Sequence, residues 1–184
     1  MWKKVFFALA AALAVFAAVV ATRPASYRVS RNAAIAAPPA VVFAQVADFH
    51  RWDSWSPWAK LDPSMQTTYG GTLGTVGATQ AWKGNDKVGE GRMTIVEARP
   101  PERLGIRLEF IKPFASTNST EFTFAPESRG TRVTWTMAGN NNFIGKAFGL
   151  FMDFDTAIGK DFDKGLAAMR GVAEAEAKKA AAVH

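Results

Sequence analysis

The chain contains no cysteine. That absence excludes a disulfide framework, a lipid-modified cysteine, thiol catalysis and thiolate metal sites. Histidine is almost as scarce, with His50 within the body of the chain and His184 at its end. Two histidines so far apart give no readable metal cluster, and His50, set among Asp48, Arg51 and Asp53, reads as a surface residue beyond a helix end rather than a general base. Basic residues outnumber acidic ones, 22 to 16, but never form a run interleaved with aromatics, so nucleic acid is not an expected partner. Gly70, Gly71 and Gly77 are not followed by the lysine and hydroxyl residue of a phosphate loop; they read as turns or bends in a curved sheet.

What is present begins with one long apolar run. Lys3 and Lys4 precede an uninterrupted stretch of apolar or small residues from Val5 to Ala21, followed by Thr22, Arg23 and Pro24. This is the layout of a signal anchor over residues 1–22, or of a signal peptide with a small residue, Ala21, before the cut. As an anchor it places residues 2–21 in an inner (cytoplasmic) membrane, crossing once, with Lys3 and Lys4 inside and the following domain extracytoplasmic. Cleaved, it leaves a secreted or periplasmic protein. Arg23, Arg28 and Arg31 suit contact with an anionic bilayer surface.

The remainder is long enough for one well-packed domain. Tyr27, Val29, Arg31, Ala33 and Ile35 alternate with polar neighbours, predicting a half-buried strand, and Pro38 and Pro39 open a helix through Asp48. Trp52, Trp55 and Trp58 follow at three-residue spacing, too many large rings for one side of a short helix ending at Pro57, so at least one is expected to cap a concave surface built elsewhere. From residue 65 to 138 the period is two, predicting strands near 65–70, 77–83, 89–99, 102–111, 117–125 and 130–138. A helical pattern then runs from about Phe143 to Lys178, with Phe148, Phe151, Ile158, Phe162, Leu166 and Met169 as its apolar stripe. Residues 173–184 read as an Ala-rich, solvated, fraying helical extension.

Strand, helix, antiparallel meander and long C-terminal helix is an α+β order, and the segments APPAVVFAQVADFHRWDSWSPW, DPSMQTTYGG, WKGNDKVGEGRMTIVEARPPERL, GTRVTWTMAG and DFDTAIGKDFDKGL carry a resemblance. Over residues 25–172 the chain resembles the SRPBCC (START-like, Bet v1-like) superfamily, in particular bacterial polyketide cyclase/dehydrase-type proteins with an N-terminal membrane segment. The resemblance implies a helix-grip fold, a curved antiparallel sheet wrapped around the C-terminal helix with a hydrophobic cavity between them. It implies no cofactor and supplies no catalytic residue that can be placed here.

The candidates to line such a cavity are Trp55, Trp58, Trp82, Met93, Phe110, Phe122, Trp135, Phe148 and Phe151, with plain core packing the leading reading for Trp82, Met93, Phe110, Phe122 and Trp135. Asp155 falls inside the apolar stripe of the last helix, where a carboxylate is costly unless paired or wet. The leading reading puts it at the helix's less buried end, bonded to a backbone amide or the Asn loop; the alternative, a polar contact in the cavity, makes it the one candidate for catalysis, with a raised pKa. The leading expectation is a membrane-tethered domain that binds a hydrophobic small molecule or lipid. The alternatives are a polyketide cyclase/dehydrase-like enzyme using the same cavity, and an envelope protein-interaction module.

Overall fold

The computed structural model describes residues 2–151 and 153–182; Met1, Met152, Val183 and His184 lie outside the described residues. Helix α1 (Trp2–Thr22) is followed by strand β1 (Ser26–Ile35), helix α2 (Pro39–Ala47), a 3-10 turn at Phe49–Arg51 and the short α3 (Trp52–Trp55). Strands β2 (Gln66–Gly70), β3 (Thr79–Lys83), β4 (Glu90–Arg99), β5 (Arg103–Lys112), β6 (Ser116–Glu127) and β7 (Gly130–Asn140) come next, then α4 (Phe143–Phe148) and α5 (Phe154–Ala181). The strands form one seven-stranded antiparallel sheet in the order β1-β7-β6-β5-β4-β3-β2. Only β1 leaves sequence order, crossing to pair with β7. This is the α+β helix-grip architecture.

One face of the sheet is covered and the other is wet, which is why the alternation is legible. On β6, Asn118, Thr120, Phe122 and Phe124 are buried, and on β7 Val133, Trp135 and Met137. Helix α5 lies over this inner face, packing along β1 and against α2 and α3. Two glycines let it approach closely: a Cβ at Gly159 would collide with the Arg31 guanidinium, and one at Gly165 would meet the Trp135 ring at 2.9 Å. Helix α2 begins on Pro39, whose missing N–H costs nothing at a first helical position.

The C-terminal helix differs from expectation at both ends. The pattern from Phe143 to Lys178 is two helices, because the chain breaks between Gly149 and Asp153; Asp153 caps α5, its side chain accepting from the Asp155 amide. Phe148 and Phe151 therefore leave the stripe and are 50% and 84% exposed. At the far end the helix continues to Ala181, with Ala173 buried. The Glu176 carboxylate accepts from Gln45 Nε2 at 2.6 Å and from Arg51 at 2.8 Å, and Glu174 accepts from the Ala36 amide at 2.9 Å. Residues 173–177 are docked on α2 and its flanks, in contrast to the solvated extension that composition predicts, while 178–181 are exposed as expected.

Candidate ligand site

The space between sheet and helix is filled first by aromatic rings. Trp52 and Trp55 are buried and donate their indole N–H groups to the Val46 and Gln45 carbonyls, both at 2.9 Å. Trp135 stacks on Phe162 of α5 with centroids 3.9 Å apart and on Phe122 at 4.9 Å. Half-buried Trp58 stands edge-on to both Trp135 and Phe162, so it is the tryptophan that closes the concave surface from outside. Trp55, Phe122, Trp135 and Met93 thus pack as core; they do not line an open cavity. Trp82 and Phe110 form a separate half-buried pair, centroids 5.9 Å apart, toward the other edge of the sheet. The ten residues singled out from the sequence fall into three groups rather than one site: this core, the Trp82–Phe110 pair, and the exposed Phe148, Phe151 and Asp155.

Asp155 sits at the first turn of α5, outside the core. Arg31 of β1 donates to both its carboxylate oxygens, at 3.1 and 2.9 Å, and to its backbone carbonyl at 3.0 Å. The hydrogen bond from Arg31 holds the Asp155 carboxyl below the usual carboxylate range, the reverse of the shift expected for a buried cavity acid. Asp153 is lowered too, chiefly by its bond from the Thr156 hydroxyl. His50 is half exposed, stacked on Tyr69 at 3.9 Å and 3.0 Å from Asp48.

A different set of polar residues occupies the inner face. Gln80 of β3 and Thr120 of β6 are 5% and 6% exposed, yet Gln80 Oε1 and Thr120 Oγ1 have no hydrogen-bond partner, and neither has Trp135 Nε1. Registers place them in adjoining cross-strand rows. One runs Gln80, Met93, Leu108, Asn118, Gly139, Tyr27; the next carries Ile95, Ile106, Thr120, Met137 and Val29. Tyr27 donates its phenol to Asn118 Oδ1 at 2.9 Å, and burial raises its pKa. Buried polar groups are nearly always paired with protein, ordered water or ligand, so these three, spread over β3, β6 and β7, are positions open to such a partner. The array offers neutral donors and acceptors in an apolar setting, suited to orienting the polar end of a mostly apolar molecule.

The rows end at a cleft of about 580 Å³ lined by Tyr27, Val29, Leu150, Phe151, Phe154 and Asp155, with Arg28 and Asp153 at its rim. Tyr27 stacks on Phe154 at 5.8 Å. A second cleft, of about 670 Å³, lies at the opposite end of β1, lined by charged residues including Arg129, Arg170 and Glu174. The sequence reading missed Gln80, Asn118 and Thr120, although the signal was there: Asn118 and Thr120 share the parity of Phe122 and Phe124, so counting by twos along β6 places both inside.

A family model described as polyketide cyclase/dehydrase and lipid transport matches residues 26–174. The chain belongs to that family. Its place in the SRPBCC superfamily, which the sequence segments implied, follows from the match, and solved structures share the fold. A protein from Thermobifida fusca is 24% identical with a TM-score of 0.59, over 79% of this chain and 92% of that one. The Aha1 dimer from Colwellia psychrerythraea is 14% identical with a TM-score of 0.58, over 80% and 96%. The di-domain ARO/CYC StfQ from the steffimycin biosynthetic pathway is 9% identical with a TM-score of 0.60, over 84% of this chain and 53% of StfQ. Among curated proteins none matches the chain.

Proposed function

We propose that this family member is a membrane-tethered domain that binds a hydrophobic small molecule or lipid on its inner face, with the Tyr27–Phe154 cleft as the way in. The observation that carries the reading is the pair of orphaned buried groups, Thr120 Oγ1 and Gln80 Oε1, set among Met93, Leu108 and Met137. The two stand three strands apart, about 14 Å across the sheet, so polar groups at two points of an extended ligand would satisfy them while its apolar body displaces the side chains that now close the rows. The family's description, which names both polyketide chemistry and lipid transport, supports a hydrophobic ligand. Helix α1 is long and apolar enough to cross a membrane, and we read it as a retained anchor with the domain on the extracytoplasmic side.

Native mass spectrometry of the full-length chain, released gently from membranes, tests this. The expected spectrum carries a discrete extra mass that the Thr120→Val, Gln80→Leu double variant loses; a bare wild-type chain overturns the reading. The enzyme alternative has less support, because Asp155, its one acid candidate, is exposed and held by Arg31.

A further inference from the structure

Large apolar side chains on the surface of this domain are concentrated at one end. Ile111 (52% exposed) and Phe114 (61%) lie at the β5–β6 hairpin; Phe143 (52%), Ile144 (52%), Phe148 (50%) and Phe151 (84%) lie on α4 and just beyond it. Pairing registers bring these segments together. Ser26 at the start of β1 opposes Asn140 at the end of β7, Asn118 near the start of β6 opposes Gly139, and the Asn141 amide donates to the Ala25 carbonyl at 2.6 Å. The Phe114 and Phe148 rings approach to 6.5 Å. This is also the end at which α1 enters. Val20 of α1 is fully buried, and Lys146 of α4 donates to the Ala21 carbonyl at 3.4 Å.

Chain connectivity fixes what lies opposite that patch. Between Thr22, the last residue of α1, and Ser26, the first of β1, there are only Arg23, Pro24 and Ala25. Even fully extended, that link spans about 14 Å, and α1 at 21 residues is about 30 Å long, the thickness of a bilayer's hydrocarbon core. With α1 in a membrane, the β1 end of the sheet cannot leave the headgroup layer. Six exposed apolar side chains there, beside Arg23, Lys146 and the Glu90-paired Lys112, combine exposed apolar area with basic residues as interfacial segments do.

We propose that Ile111, Phe114 and the α4 segment from Phe143 to Phe151 form a membrane-docking surface, seated in the headgroup and upper acyl region of the bilayer that α1 crosses. This rests on the reading of α1 as a retained anchor and deepens the ligand reading. Phe151 and Leu150 belong to the patch side and also line the Tyr27–Phe154 cleft, so a lipid or other membrane-dissolved molecule reaches the cleft without crossing water. The occupant of the surface is the lipid bilayer; a protein partner or a second copy is the competing outcome.

The absence of cysteine makes the test direct, because each introduced cysteine reports on one position. Phe114→Cys, Phe148→Cys and, at the opposite end, Val76→Cys (wild-type Val76 is 62% exposed) are labelled with an environment-sensitive fluorophore. The full chain is reconstituted into phosphatidylcholine/phosphatidylglycerol vesicles carrying nitroxide-labelled lipid. Probes at 114 and 148 are expected to shift to the blue and to be quenched several-fold more strongly than the probe at 76. Equal quenching at all three positions overturns the proposal. So does a blue shift at 114 and 148 that nitroxide lipid does not quench, since that marks a protein surface. Docked probes on a chain that co-purifies with no ligand uphold the surface and sink the ligand reading, whereas undocked probes on a ligand-loaded chain do the converse.

Discussion

Thr120 and Gln80 present a conflict that separates stability from function at the scale of single atoms. A buried hydroxyl without a partner costs about 1–3 kcal/mol, and valine fills nearly the same volume as threonine without that cost. Thr120→Val is therefore expected to raise the ligand-free domain's stability by about 1 kcal/mol, read as a higher midpoint in chemical denaturation, while reducing co-purified ligand. That combined outcome would mark Thr120 as serving a ligand rather than the fold. Asp155 makes a second residue-scale prediction. Its folded-state pKa lies below the usual carboxylate value because Arg31 bonds to the ionised form. Whatever stability the pair supplies is thus fully present above the ordinary carboxylate range and is lost as pH falls through the lowered value. In Asp155→Asn that part of the acid-induced loss disappears, leaving a flatter stability profile at low pH with little change near neutrality; an unchanged acid limb would show that the pair contributes nothing.

Among the elements, α5 carries the contacts that decide whether the grip closes. Its underside is cut away at Gly165, where the Trp135 ring and Pro57 come within 2.9 and 3.2 Å of the missing Cβ. Gly165→Leu forces either the helix or the aromatic stack to move and is expected to cost about 1–3 kcal/mol, despite leucine's better helix propensity. A protein that loses nothing in thermal denaturation would mean that α5 can ride further from the sheet. At its C-terminal end, Glu176→Ala strands the amide of buried Gln45, whose remaining acceptor is the Val41 carbonyl at 3.4 Å. The expected cost is about 1–2 kcal/mol, with fraying of the last turns visible as faster amide exchange. The strands and α2 were readable to within a few residues, because one wet face imposes strict alternation and Pro39 marks a helix start. The break before α5 had its own signal in Gly149 and the capping Asp153, but the apolar spacing on either side happens to continue across it. The docking of residues 173–177 had no local signal at all: Glu176 finds Arg51 and Gln45 at separations of 125 and 131 residues.

For the molecule as a whole, the same end of the sheet receives α1, exposes six large apolar side chains and opens the cleft at Tyr27. Removing residues 2–22 from the chain is expected to shift the protein from the membrane to the soluble fraction while leaving residual, salt-sensitive vesicle binding through Phe114, Phe148 and their basic neighbours; complete loss of vesicle binding in a flotation assay would assign all attachment to α1. Fold class, the parity of each strand and the apolar character of α1 are legible in the chain alone, since these depend on periodicity and composition within short windows. Which aromatics are core and which polar groups are left without partners is settled by packing between distant elements. Parity says that a side chain points inward but not whether α5 fills the space above it. The ring of Trp135 meets Phe162 and is sealed, while its Nε1, like Thr120 Oγ1 and Gln80 Oε1, meets nothing among the described residues that can hydrogen-bond it. That difference is set by where a separate helix lies across the sheet, a distance no local pattern encodes.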